Sequence, residues 1–198
     1  NDFWYRTLTK IKEATPTESV INSWWDFGDW FTTVARRKVI FDGQSQNLPQ
    51  AYWMARVFMT EDEKEAIEIL RMLNNAGNQA FELINGSIND PFKSAVLLKR
   101  VITLQPKAAK EALAKYLPSS QTENVMRILS MVPKKAYFIV DYTLQDKISA
   151  LCFIGNWDFT RAYLAQSLHK RNRPEIIDYL KGLGIDAKKA ERLYQEAS

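Results

Sequence analysis

The sequence predicts an α+β fold that is predominantly α-helical, with a few short strands. Three observations carry this expectation. From Pro49 onward, stretches with apolar residues at helical spacing follow one another, and prolines separate them. Only three short stretches, residues 19–23, 38–41 and 135–142, lean towards β-structure. The chain has 198 residues, 46% of them hydrophobic and 25% charged, which suits one compact unit with a real core.

Taken in order, Asp2 is placed to cap a first helix whose apolar positions Phe3, Trp4, Leu8 and Ile11 recur at helical spacing, and Pro16 ends it. Ser19 to Ser23 is a short strand leading into a Trp-Trp-Asp turn. Trp30 to Arg37 reads as a helix, Lys38 to Phe41 as a strand, and Asp42-Gly43 as the turn that closes it. Pro49 suits the start of a helix over 51–59, and Thr60-Glu61-Asp62-Glu63 reads as a capping box for a helix running to about Asn74. Gly77 breaks that helix. Further helices are expected at 79–83, 90–104, 107–116 and 122–131, with Pro91, Pro106, Pro118 and Pro133 between them. Lys135 to Tyr142 ("KAYFIVDY") is the clearest strand. Helices at 144–153 and 158–170 follow, joined by Gly155-Asn156-Trp157, and residues 173–198 form a helical hairpin turning at Gly182-Leu183-Gly184.

Composition excludes several chemistries. One cysteine, Cys152, leaves no intrachain disulfide and no cysteine-based metal site, and one histidine, His169, leaves no material for a histidine-rich site or a Ser-His relay. His169 is followed by Lys170 and Arg171 and reads as a surface side chain. The formal charge of +4 is spread among interleaved acids, which argues against a dedicated nucleic-acid binder. No apolar run approaches the ~18–20 residues of a membrane span. Nothing at the start resembles a signal peptide, and a first residue of asparagine leads us to expect a piece of something longer.

The most informative stretch is "VINSWWDFGDWFTTV". Two indole donors stand beside a carboxylate at Trp24, Trp25 and Asp26. One reading is core packing, with Asp26 capping the next helix. The other starts from capacity: a hydroxyl offers one donor and two lone pairs, which one carboxylate and two indole N–H groups would saturate. Such a pocket would select serine or threonine and reject an analogue lacking the hydroxyl.

"WWDFG" resembles the W-W-D-Y-G signature of the catalytic subunit of oligosaccharyltransferase, the membrane enzyme that glycosylates asparagine in Asn-X-Ser/Thr sequons. The surrounding "ATPTESVINSWWDFGDWFTTVARRKVIFDG" has the same order of strand, motif, helix and strand; Phe27 departs from the family's tyrosine but keeps the ring. "DPFKSAVL" is similar to the D-x-x-K-x-x-x-(M/I) motif of archaeal and eukaryotic members and supplies Asp90, Lys93 and Leu97, with leucine at the Met/Ile position. "FIVDYTLQDKISALCFIGNWDF" resembles a structural segment near the end of the family's soluble core.

The resemblance covers roughly residues 3–165, within a core domain expected over 1–172; the tail at 173–198 has no counterpart in it and reads as a small helical appendage. It implies that Trp24, Trp25 and Asp26 bind the +2 Ser/Thr of the sequon, with Asp90, Lys93 and Leu97 near that pocket. It also implies that catalytic residues and the ligands for Mn²⁺ or Mg²⁺ lie in an absent membrane region that binds the lipid-linked oligosaccharide. The domain would then face outside the cytoplasm at the cell membrane, bind acceptor polypeptide but no nucleic acid, and be inactive alone. Asp29 reads as a first-turn helix residue rather than a metal ligand. Asn85-Gly86-Ser87 is itself a sequon, expected as a chance match in a turn. A helical protein-interaction module without catalytic role, or a nucleic-acid binder using the basic tail, would share some of these features.

Overall fold

A computed structural model of the chain describes residues 2–45 and 49–198. The capping role expected of Asp2 rests on a side chain outside the described set. Twelve α-helices, three strands and two short 3-10 helices make up the described residues, so the predominantly helical α+β expectation is met. No helix among them is long and apolar enough to cross a membrane. Contacts divide the chain into two compact units, one comprising residues up to Ala80 with Glu123–Trp157, the other Phe81–Thr122 with Asp158–Ser198.

The first unit is organised on a small parallel sheet. Strand β1 (Val20–Asn22) lies in the centre, with β2 (Lys38–Val39) on one side and β3 (Ala136–Phe138) on the other. Val20 pairs with Lys38 and Ala136, and Ile21 with Val39 and Tyr137. The outer strands are shorter than the β-leaning stretches that contain them. A strand extends only as far as it has a partner, and β1 offers three residues before the chain turns at Ser23. Helix α1 (Asp2–Ala14) and helix α2 (Gly28–Thr33) cover the sheet. Leu8, Ile21, Phe31 and Ala35 form the buried centre of that packing, with Trp4 and Phe27 against it. The buried Arg37 ties β2 to the end of α1, donating to the carbonyls of Lys12 and Thr15 and to Thr15 Oγ1. A cation at a helix C-terminus satisfies its orphan carbonyls and complements its dipole.

Helices α3 (Pro49–Met59), α4 (Glu63–Ala76) and α9 (Ile148–Gly155) complete this unit, with most of α8 (Ser119–Ser130). The cap of α4 is Asp62 rather than Thr60: its carboxylate accepts from the backbone N–H of Lys64 and Glu65. Thr60 instead donates to Glu65, whose carboxylate takes a two-pronged grip from Arg56 at 2.8 and 2.6 Å. That hydrogen bond raises the Arg56 guanidinium above its ordinary pKa. Gly77 ends α4 at a φ of 55°, where a side chain would be strained.

The remaining helix of this unit was expected over 144–153 but divides into a 3-10 turn at Tyr142–Lys147 and then α9. Gly155 and Asn156, of the Gly-Asn-Trp segment, are structural. A Cβ on Gly155 would lie 2.6 Å from the Ala55 carbonyl oxygen, so its absence lets α9 approach α3. Asn156 accepts from Arg56 at 3.1 Å.

The second unit contains most of α5 (Gln79–Ile88), with α6 (Pro91–Thr103), α7 (Pro106–Leu113), α10 (Phe159–Ser167), α11 (Arg173–Gly182) and α12 (Ala187–Ala197). Residues 173–198 form the expected hairpin. Its Ile176, Ile177, Leu180 and Ala190 share a core with Leu164 of α10. Helix α5 runs five residues beyond the expected stop, so Asn85-Gly86-Ser87 is helical rather than a turn. Asn85 accepts from Ser94, Ser87 bonds Gln121, and Ile84 is buried; these contacts outweigh the ~1 kcal/mol that glycine costs a helix.

Candidate functional site

Trp24 follows β1 and Ser23, and Trp25–Phe27 form a single 3-10 turn leading into α2. The turn therefore stands at the C-terminal end of the central parallel strand, where neighbours to left and right are reached by different crossovers. In open parallel sheets this switch point is where backbone diverges and leaves a crevice for a ligand.

The residues of the motif have separate duties. Trp24 is 7% exposed, with its ring edge-on to Phe41 at 5.0 Å and to Phe58 at 6.3 Å. Its ring belongs to the core, as the packing alternative expected. Trp25 and Asp26 are half-buried. Neither indole nitrogen has a hydrogen-bond partner among the described residues. Phe27 stacks on Trp4 with ring centroids 4.3 Å apart and meets Trp30 edge-on, so the missing phenolic hydroxyl leaves the packing role intact. Gly28 is required by a close approach: a Cβ there would sit 2.6 Å from both the Phe41 carbonyl oxygen and the Asp42 side chain. Asp29 is exposed in the first turn of α2, as expected.

The structure adds a residue that the sequence reading passed over. Lys147, at the end of the 3-10 turn before α9, forms an ion pair with Asp26 through Oδ2. Both side chains are mostly shielded, at 29% and 19% exposed, which strengthens the pairing relative to a surface bridge. The lysine holds one carboxylate oxygen, leaving Oδ1 as an acceptor. Lys147 falls within the third stretch of resemblance, but 121 residues separate it from Asp26, and nothing in local spacing connects the two.

Asp90, Lys93 and Leu97 belong to the second unit. Asp90 is the N-cap of α6, accepting from Lys93 N–H at 3.0 Å, and it follows Asn89, which has a φ of 53°. The same Oδ1 accepts from the Tyr179 hydroxyl at 3.0 Å. Burial, and then the hydrogen bond to Asp90, push the Tyr179 phenol well above its ordinary value of 10.0. Tyr179 in turn stacks on Tyr163, ring centroids 3.6 Å apart. Lys93 projects over the Tyr116 ring at 4.5 Å, and Leu97 is buried one turn further along. Thus Lys93 and Leu97 share a face of α6, whereas Asp90 turns its carboxylate to the helix start and to Tyr179.

Among the described residues, no group of three or more His, Cys, Asp or Glu side chains is placed to hold a metal ion. His169 is exposed.

Fold and site together define a class: a mostly helical α+β domain that presents a Trp-Trp-Asp-Phe-Gly turn at the end of a short parallel sheet. The chain belongs to the STT3/PglB/AglB core-domain family, whose model matches residues 17–161. This bears out the resemblance drawn from the tryptophan motif. The chain is 34% identical over 167 residues to a dolichyl-phosphooligosaccharide-protein glycotransferase of Methanocaldococcus jannaschii, covering 81% of this chain and 18% of that protein. It is 34% identical over 166 residues to the protein of the same name from Methanococcus voltae, covering 80% and 18%. A shorter match, 34% over 64 residues, joins 32% of the chain to 9% of a rice dolichyl-diphosphooligosaccharide–protein glycosyltransferase subunit STT3B. The chain spans less than a fifth of the length of the two archaeal relatives. No solved structure matches it significantly.

Proposed function

We propose that this chain is the acceptor-recognition domain of an N-glycosylating oligosaccharyltransferase. The full-length enzyme transfers an oligosaccharide from a lipid carrier to asparagine in Asn-X-Ser/Thr, and this domain binds the +2 hydroxyl with Trp24, Trp25 and Asp26. Asp90, Lys93 and Leu97, which match the second motif of the resemblance, are assigned a supporting part in acceptor recognition by the full-length enzyme. The catalytic groups, the ligands for Mn²⁺ or Mg²⁺ and the lipid-linked donor site lie in the remainder of the protein, which is embedded in the cell membrane with this domain on its extracytoplasmic side. The isolated chain is inactive, because its share of the mechanism is to position the acceptor.

The observation that carries this reading is the Trp-Trp-Asp turn itself. Its carboxylate is held by Lys147 with one oxygen left to accept, beside two indole N–H groups that have no partner among the described residues, at the end of the central parallel strand. A Ser or Thr hydroxyl donating to Asp26 Oδ1 and accepting from an indole would be matched; an alanine in its place would leave those groups unpaired, at roughly 1–3 kcal/mol each.

The experiment is glycosylation of Asn-X-Thr peptides by the full-length enzyme. Asp26→Ala and Trp25→Ala are each expected to lower kcat/KM by about a hundredfold or more, with the 198-residue chain still folded by circular dichroism. Transfer that survives both substitutions, or that is indifferent to replacing threonine by valine, would sink the reading.

A further inference from the structure

The second unit holds a pocket of ≈ 220 Å³ whose cationic lining the acceptor reading leaves largely unexplained. Four cationic side chains line it: Lys93 and Arg100 from α6, Lys115 just beyond α7, and Lys181 near the end of α11. No aspartate or glutamate is among its lining residues. Lys93 and Arg100 are two turns apart and so share one helix face. Lys181 has Asp178 at 3.4 Å, but no ion pair holds Lys93, Arg100 or Lys115 among the described residues.

Several long cations elsewhere on the chain have acids nearby: Arg71 pairs with Glu68, Arg161 with Asp158, and Arg192 with Glu196. Here the like charges converge instead. Their mutual repulsion is a cost that a bound anion would remove.

The pocket is also built, not merely charged. The Tyr116 ring lies beneath Lys93 at 4.5 Å, and its hydroxyl donates to the Gly182 carbonyl at 3.0 Å, fixing one wall. The Gly182-Leu183-Gly184 turn, to which that hydroxyl bonds, also lines the pocket. Gly184 adopts a φ of 85°, and a Cβ there would come within 3.0 Å of Arg100 Nη1, so the turn passes directly against the guanidinium. The apolar floor is Leu97.

We infer that this pocket is an anion site for a phosphate or diphosphate group, with Arg100 as the forked donor and Lys93, Lys115 and Lys181 as point charges. The group is carried either by a small soluble molecule or by a lipid headgroup at a membrane surface. The inference goes beyond the acceptor reading and shares only the α6 residues Lys93 and Leu97 with it.

The test measures binding of inorganic pyrophosphate to the 198-residue chain by calorimetry at low ionic strength, and co-sedimentation with phosphatidylcholine vesicles with or without phosphatidylglycerol. Arg100→Gln with Lys115→Gln removes two exposed charges and touches none of Trp24, Trp25 and Asp26. It is expected to weaken binding by about tenfold or more, and sodium chloride to weaken the wild type progressively. Lys188→Gln with Lys189→Gln removes the same charge from α12, outside the pocket, and is expected to change affinity by less than about twofold.

Binding of either probe with this pattern supports the site. Pyrophosphate alone assigns a soluble phosphate, and sedimentation only with phosphatidylglycerol assigns a headgroup. Binding of neither probe, or equal losses in the two double variants, overturns the site. Glycosylation of acceptor peptides by Asp26→Ala reports on the acceptor reading separately.

Discussion

Lys147 is the side chain on which the character of the Trp-Trp-Asp turn depends. Asp26 is half-buried beside two indoles, where a charge that loses hydration needs a counter-charge. Lys147 supplies that charge at Oδ2. In full-length enzyme, Lys147→Met is therefore expected to raise KM for Asn-X-Thr peptides about tenfold or more while the domain stays folded; unchanged KM would show that the ion pair is structural only. Gly28 makes a different kind of demand. Its missing side chain lets α2 begin against the backbone of Phe41 and Asp42, so Gly28→Ala must push these segments apart. The expected loss is about 1–3 kcal/mol, visible as a lower thermal midpoint in the 198-residue chain. The glycine of the motif is thus explained by packing, independently of any substrate.

At the scale of elements, the prolines and caps are legible in sequence because they act within a turn of where they stand. Pro91 and Asp90 start α6, Asn172 and Glu175 close a capping box on α11, and Gly77 ends α4. Element lengths were less legible, since they depend on partners: β3 stops where β1 has no more residues to pair with, and α5 continues through Gly86 because Asn85 and Ser87 find side-chain partners. Asp90 joins both kinds of information, as a local cap that also anchors Tyr179 from α11.

That contact has a pH signature. The raised folded-state pKa of Tyr179 gives a contribution to stability that is complete below the ordinary value of 10.0 and is lost as pH rises through the folded value. In an alkaline titration followed by phenolate absorbance, Tyr179 is expected to give a late step, well above its ordinary value. Asp90→Asn keeps a competent cap but removes the repelling charge, and should bring that late step down. A late step unmoved in Asp90→Asn would assign it to burial alone.

At the scale of the molecule, the chain passes between its two units at residues 80–81, 122–123 and 157–158, so neither unit is a continuous segment. The final 26 residues, which read as a separate hairpin, contribute Ile176, Ile177, Leu180 and Ala190 to the core around Leu164. Burying each large aliphatic side chain contributes about 1.5–3 kcal/mol. Truncation after residue 172 is therefore expected to destabilise the second unit, with amide exchange accelerating in α6 and α10 and little change in the β1–β3 sheet. Equal protection in the truncated and full chains would show that α10 does not need the hairpin.

The sequence by itself determined the class of fold, the starts of helices such as α5, α6, α10 and α11, and the family, because composition, capping and the Trp-Trp-Asp-Phe-Gly stretch are local patterns carried by neighbouring residues. It also singled out Trp24, Trp25, Asp26, Asp90, Lys93 and Leu97 as candidates. Only the tertiary structure decided that Trp24 is a core ring, that Lys147 meets Asp26 and that Tyr179 meets Asp90. The same is true of the four cations around Tyr116. These are contacts between residues far apart in the chain, created when apolar faces pack, and such contacts leave no periodicity or spacing in the sequence.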